Sequence, residues 1–173
     1  MRSSPARPGP PAPPASRKEA AIAPDLSIVI VNWNTRELLR GCLASLPAAT
    51  ADLAVETLVV DNASADGSEA MVRADFPDCR LLPGGGNLGF SRGNNLALEQ
   101  ACGDRILLLN PDTVCPPGSL AALAEALDRL DGAWAVGPTL VDEEDRPTAS
   151  YGDFPSLRRH LLSCLDPANL WLG

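Results

Sequence analysis

Four clusters of amide, carboxylate and glycine residues punctuate the apolar segments of this 173-residue sequence: Asn32-Trp33-Asn34, Asp61-Asn62, Gly84-Gly85-Gly86-Asn87-Leu88-Gly89 and Asn110-Pro111-Asp112. One such cluster is ordinary turn chemistry, because Asn and Asp cap helices and turns through their own short side chains. Each of the four, however, follows a strand-like run, and in an open parallel α/β sheet the ligand crevice lies outside the carboxyl ends of the strands. Four on one rim point to a ligand site. The glycine cluster also matches G-x-G-x-x-G, opens a helix and has Asp112 about 20 residues beyond it, as a dinucleotide fingerprint would. That match is a decoy. The fingerprint belongs to the first strand–helix turn of its unit, whereas this loop comes third and Pro83 separates it from a short strand.

The elements that must position these clusters follow from the apolar pattern. Leu26 to Val31 is nearly continuous and β-branched, as a strand buried on both faces should be. Asn34, with Glu37 three residues on, is expected to cap a helix whose apolar stripe is Leu38, Leu39, Cys42, Leu43 and Leu46. Glu56 to Val60 reads as a second strand, and Asp66 with Glu69 opens a helix to about Phe76. Cys79 to Leu82 is a short third strand, and Phe90 to Ala101 a helix stopped by Gly103. Arg105 to Leu109 is a fourth strand, and Pro117 sits in the first turn of a helix to Leu130 with Gly132 as its stop. Trp134 to Val136 and Thr139 to Val141 read as short strands before a charged turn, Asp142 to Pro147. The βαβαβαβα order predicts an α/β fold, a Rossmann-like, doubly wound, mostly parallel sheet with helices on both faces.

Composition bounds what such a sheet can serve. With 45% hydrophobic residues the chain can bury a core. Residues 1–24 hold seven of the 17 prolines and no apolar periodicity, so a disordered or polyproline-like tail is expected there. That tail is net +3 (Arg2, Arg7, Arg17 and Lys18 against Glu19), which leaves 10 basic and 21 acidic side chains, net −11, over residues 25–173. A domain this acidic does not bind nucleic-acid backbones by bulk electrostatics. A phosphate-bearing ligand would need a metal ion or oriented backbone amides to offset the repulsion. Apolar runs such as Ile28 to Val31 fall far short of the ~20 residues of a membrane span, and no secretory apolar stretch follows the basic N-terminus, so a cytoplasmic location is expected. Five cysteines (Cys42, Cys79, Cys102, Cys115, Cys164) without a C-x-x-C pair argue against a disulfide framework or a zinc site.

Taken in order, the Ile-Val-Asn-Trp-Asn strand end, Val59 to Ser68, Asn87 to Asn95 and Leu107 to Thr113 resemble family 2 glycosyltransferases, and among them the rhamnosyltransferase-like branch acting on cell-surface polysaccharides. The resemblance covers about Leu26 to Pro155, within an expected domain of 25–155. It implies the GT-A fold, which binds a nucleoside-diphosphate sugar over the carboxyl ends of its first strands. Asp61, with Asn62 beside it, matches the acid that bonds the base, which suits the imide N–H of a UDP- or dTDP-linked donor. Asn32 and Asn34 match the polar lip near the nucleoside. Asn87, Arg92 and Asn95 match the helix start beside the nucleotide. Asn110 and Asp112 match the D-x-D element, whose second acid holds a divalent metal, Mg²⁺ or Mn²⁺, bridging the two phosphates. Here the first acid is an amide, so Asp112 alone carries the charged protein ligand.

The resemblance also implies inverting transfer to a glycan or lipid-linked acceptor, with peripheral association with the inner membrane. Inversion needs a carboxylate that removes the acceptor proton, which the family draws from a later acidic segment; the expected fold lacks that C-terminal acceptor part. Asp142, Glu143, Glu144 and Asp145 read instead as a solvated turn, and His160 as a surface residue of a terminal helix within 156–173. The alternative to an active transferase is therefore a truncated, non-catalytic nucleotide-sugar-binding module. A nucleotidyltransferase is disfavoured, because its glycine-rich, Arg-containing loop should follow the first strand, where Asn32-Trp33-Asn34-Thr35-Arg36 stands.

Overall fold

The structure, a computed structural model, describes residues 23–51, 53–142, 144 and 146–148. The expected tail lies outside the described residues up to 22, as does the expected terminal helix of 156–173. Contacts divide the chain after Asp131 into two compact units.

The first unit carries the sheet. Strand β1 (Leu26–Asn32) pairs in parallel with β2 (Val55–Asp61) on one side and with β4 (Arg105–Leu109) on the other, and β2 pairs in parallel with β3 (Arg80–Pro83). The order β3-β2-β1-β4 reverses direction at β1, which is the topological switch point where such sheets open a crevice. The continuous aliphatic run of β1 is explained by burial on both faces. Ile28 and Ile30 pack with helices α1 (Arg36–Thr50), α2 (Ser68–Asp75) and α4 (Ser119–Arg129), through Leu39, Leu43, Val72 and Leu120. Val29 packs on the opposite face with Leu58, Val60, Leu82 and Ala97 of α3 (Gly89–Leu98). Fully burying each such side chain stabilises the fold by roughly 1.5–3 kcal/mol, so the central strands anchor the rim they end on.

Four local expectations are corrected. Asn34 does not cap α1: its φ is +53°, and Thr35 is the residue at the cap, with no side-chain capping bond. Leu38 is 53% exposed, so the buried stripe of α1 is Leu39, Cys42, Leu43, Leu46 and Ala49. Helix α3 ends at Leu98 rather than Ala101, the N–H groups of Gln100 and Ala101 both turning back to the Ala97 carbonyl. Trp134 to Val136 forms no strand; Trp134 is 97% exposed, and among the described residues no segment pairs with it as a strand requires. In this second unit the described strands are β5 (Leu140–Val141) and β6 (Pro147–Thr148), an antiparallel pair. Its turn is held by Asp142, which accepts from the Glu144 and Arg146 N–H groups at 3.0 Å each.

Gly103 marks where the chain enters β4 against the amino end of β1. A Cβ there would lie 2.6 Å from the Ser27 nitrogen and 2.8 Å from the Leu26 carbonyl carbon, both backbone atoms that cannot rotate away. Gly103→Ala is expected to cost about 1–3 kcal/mol in urea unfolding. Gly41→Ala, inside α1 with open space around it, is expected to be neutral or stabilising by up to ~1 kcal/mol.

Candidate nucleotide site

The parallel register places Asn32 beside Asp61 at the last step of β1 and β2. Both side chains are buried, at 0% and 4% exposure, and they meet: Asn32 Nδ2 donates to Asp61 Oδ1 at 3.1 Å and to Ser64 Oγ at 3.1 Å. The remaining carboxylate oxygen, Asp61 Oδ2, accepts the Ser64 N–H at 2.9 Å, and Thr35 Oγ1 donates to Asn32 Oδ1 at 2.6 Å. Ala63 has to adopt a left-handed φ of +60° for Ser64 to turn back onto Asp61. Such a conformation costs of order 1 kcal/mol for a residue with a Cβ and persists where surrounding bonds over-determine it. Each carboxylate oxygen takes one protein donor here and keeps a lone pair.

Asn34, exposed at the lip, reaches across to the β2 loop. Its Oδ1 accepts the Ala65 N–H at 2.7 Å and its own N–H donates to Ser64 Oγ at 2.9 Å. The first turn of α1 is capped from the same loop, by Asp66 Oδ2 accepting the Arg36 N–H at 2.8 Å, while Asp66 Oδ1 accepts from the N–H and hydroxyl of Ser68. Burial disfavours the charged form of Asp66. The hydrogen bonds from Ser68 and Arg36 outweigh it and hold the carboxyl below its ordinary value. The stability this contributes is present above the unfolded carboxyl value of about 3.9 and is lost as pH falls through the lower folded value. The parent's Tm is therefore expected to fall as pH drops below about 5, and Asp66→Asn to flatten that fall, as thermal unfolding across pH would read.

Asn62 is 3% exposed; its Nδ2 donates to the Gly89 carbonyl at 3.3 Å, tying the end of β2 to the start of α3, while its Oδ1 is buried without a partner. Gly84 is packed against this group: a Cβ would lie 3.0 Å from the Asp61 carbonyl and 3.2 Å from Asn62 Oδ1. Its N–H donates to the Asp61 carbonyl at 2.9 Å. The glycine loop thus leaves edge strand β3 and closes over the end of β2, the geometry of close backbone packing. Asn87 stays within its own turn, its Oδ1 accepting the Gly89 N–H at 2.9 Å. Arg92 and Asn95 lie on the exposed side of α3, whereas the buried polar side chain of that helix is Asn94, donating to the Phe90 carbonyl at 3.0 Å.

Leu109 pairs with Ile30, so Asn110 and Asp112 leave β4 on the same rim as Asn32 and Asp61. They stand in a turn closed by the Thr113 N–H on the Asn110 carbonyl at 3.3 Å, and both are exposed. Their carboxylate and amide oxygens are hard donors of the kind Mg²⁺ and Mn²⁺ take. Among the described residues no three His, Cys, Asp or Glu side chains gather to hold a metal alone. A cation there would draw its other ligands from phosphate and water, as Mg²⁺ commonly does. Below the turn the Cys42 thiol is pushed up to about 12, by burial first and then by its neighbours Cys115, Asp112 and Cys79.

Of the residues singled out from the sequence, Asn32, Asn34, Asp61 and Asn62 are thus brought together at the ends of β1 and β2. Asn110 and Asp112 stand on the same rim, Asn87 stands in the turn before α3, and Arg92 and Asn95 lie on the exposed side of that helix. Sequence reasoning missed Thr35, Ser64 and Asp66 as partners; the Asp61-Asn62-Ala63-Ser64 spacing, that of a side chain accepting from a backbone N–H three residues on, was the available signal.

Among proteins of known activity, N-acetylglucosaminyl-diphospho-decaprenol L-rhamnosyltransferase of Mycobacterium tuberculosis is 33% identical over 161 residues, 84% of this chain and 52% of that protein. The low-salt glycan biosynthesis hexosyltransferase Agl10 of Haloferax volcanii is 34% identical over 92 residues, 51% of this chain and 28% of its own. The chain thus spans about half the length of the mycobacterial relative, at 52%. Among solved structures, the mannosyltransferase PcManGT from Pyrobaculum calidifontis, in complex with GDP-Man and Mn²⁺, superposes with a TM-score of 0.53 at 24% identity, over 73% of this chain and 38% of that one. S. aureus TarS 1-349 in complex with UDP-GlcNAc does so with a TM-score of 0.53 at 23% identity, over 69% and 38%. The parallel sheet and its helices are the N-terminal part of the GT-A, Rossmann-like fold. The family described as Glycosyl transferase family 2 matches residues 27–166, and with four-fifths of its length inside that match the chain belongs to glycosyltransferase family 2.

Proposed function

We propose that the chain binds a nucleoside-diphosphate sugar across the ends of β1, β2 and β4 and serves inverting transfer of a rhamnosyl or other hexosyl group. The observation that carries this reading is Asp61, buried at 4% exposure and oriented through both carboxylate oxygens by Asn32 and Ser64. A carboxylate so fixed is an acceptor for the imide N–H of uracil or thymine, which favours UDP- or dTDP-linked donors. Asn32, Asn34 and Asn62 would line the nucleoside, and Asn87, Arg92 and Asn95 would flank the nucleotide, Arg92 adding a cation to an otherwise acidic domain. Asn110 accepts from a ribose hydroxyl or offers its carbonyl oxygen to the metal. Asp112 would hold Mg²⁺ or Mn²⁺, which when bound offsets the charge growing on the leaving diphosphate.

The names of the relatives support a glycan or lipid-linked acceptor, and cell-envelope polysaccharide synthesis is the setting proposed for it. No helix among the described residues is long and apolar enough to cross a membrane. The proposal places the chain in the cytoplasm, associating peripherally with the inner membrane when it meets such an acceptor. Calorimetric titration with UDP, dTDP and GDP in Mn²⁺ tests the donor assignment: the two pyrimidine nucleotides are expected to bind more tightly than GDP, and no heat from any of them would overturn it.

A further inference from the structure

The loop that carries Asp112 is held by α1. Three residues of that helix, spaced three apart, grip it in succession. The wholly buried Cys42 thiol donates to the Asn110 carbonyl at 3.7 Å. The Ser45 hydroxyl donates to the Cys42 carbonyl at 2.6 Å and accepts the Cys115 N–H at 3.0 Å. The Ala48 carbonyl accepts the Gly118 N–H at 2.8 Å. Residues three apart share a helix face, so the chain from Asn110 to Gly118 is laid along one side of α1. Cys115 is 6% exposed, which makes Ser45 the partner of a backbone donor that water reaches poorly. Asp112 is itself exposed. Its place on the rim is set by the backbone on either side of it, fixed at Asn110 through Cys42 and at Cys115 through Ser45.

We propose that Ser45, with Cys42 one turn before it, is a positioning residue that fixes the 110–115 loop so that Asp112 stands where a divalent cation joins protein and diphosphate. This rests on the reading of Asp112 as the metal-holding acid. A cation bound by one protein carboxylate depends strongly on that carboxylate being in place beforehand, because affinity falls by the fraction of time the loop spends elsewhere. Neither residue touches the ligand; both act through the loop.

The test compares nucleotide affinity in Mn²⁺ with affinity in chelator for the parent chain, Ser45→Ala, Ser45→Thr, Asp112→Asn and Val72→Ala. Ala is the best helix former and Ser45 is only partly buried, so the first variant folds. Ser45→Ala is expected to lower affinity in Mn²⁺ about five- to tenfold and to leave it within about twofold in chelator. Ser45→Thr keeps the hydroxyl and should recover most of the loss. Val72→Ala, a core truncation in α2, should lower Tm and leave the gain from Mn²⁺ intact. If Ser45→Ala keeps the full gain while Asp112→Asn loses it, the positioning role is wrong and the metal reading stands. If Asp112→Asn also keeps it, the metal reading falls and the inference with it. Equal losses for Ser45→Ala in Mn²⁺ and in chelator mark a merely structural role and overturn the inference too.

Discussion

Asp61→Ala is expected to lower the affinity for UDP or dTDP roughly ten- to hundredfold, whether or not metal is present, because a hydrogen bond to a charged acceptor is worth about 1.5–3 kcal/mol. The same change removes the acceptor of the Ser64 N–H and one of two acceptors of Asn32 Nδ2. A buried donor left without a partner costs about 1–3 kcal/mol, so Tm should fall as well. Asp61→Asn separates the two effects. It keeps one oxygen but no charge, and turns the other acceptor into an NH2 that faces a protein donor, Asn32 Nδ2 or the Ser64 N–H, so it should fold better than the alanine variant and still bind nucleotide weakly. Calorimetry paired with thermal unfolding reads both quantities. Undiminished affinity in either variant would remove Asp61 from the base contact.

Asp112→Asn is expected to behave differently. In Mg²⁺ or Mn²⁺ the nucleotide affinity should fall roughly tenfold or more, since the one charged protein ligand in the turn is replaced by an amide. In chelator the change should be less than about twofold, because only the metal-bridged part of the binding is lost. Its side chain is exposed and anchors nothing in the core, so Tm should not move by more than a degree or two, as for surface substitutions generally. A fall in affinity of the same size in chelator would assign Asp112 a direct contact with the nucleotide instead.

What could be read from the sequence, and what could not, divides along the range of the interactions. Arg105 to Leu109 was bounded correctly, and β1 and β2 nearly so, because an aliphatic run buried on both faces declares itself locally. The start of α1 was misplaced because its cap comes from Asp66, thirty residues away in another loop. Trp134 to Val136 has strand composition, yet a strand exists only with a partner. In the site, the residue types at the strand ends were legible, since Asn32, Asp61 and Asn110 close aliphatic runs. Their joining was not, because it depends on the register that sets Asn32 beside Asp61. The motif drew attention to Asn95, while the phase of α3 buries Asn94 instead. The grip of α1 on the 110–118 segment joins residues about seventy positions apart, and no local pattern announces it.

A bound nucleotide is expected to lie over the carboxyl ends of β1, β2 and β4. A crystal structure of the chain with UDP and Mn²⁺ tests it most directly. The base is expected against Asp61, with its imide N–H on a carboxylate oxygen, and the diphosphate is expected to reach a cation held at Asp112. A nucleotide seated with its phosphates on the Gly84–Gly89 loop at the edge strand, or one that leaves Asp61 and Asp112 untouched, would contradict it.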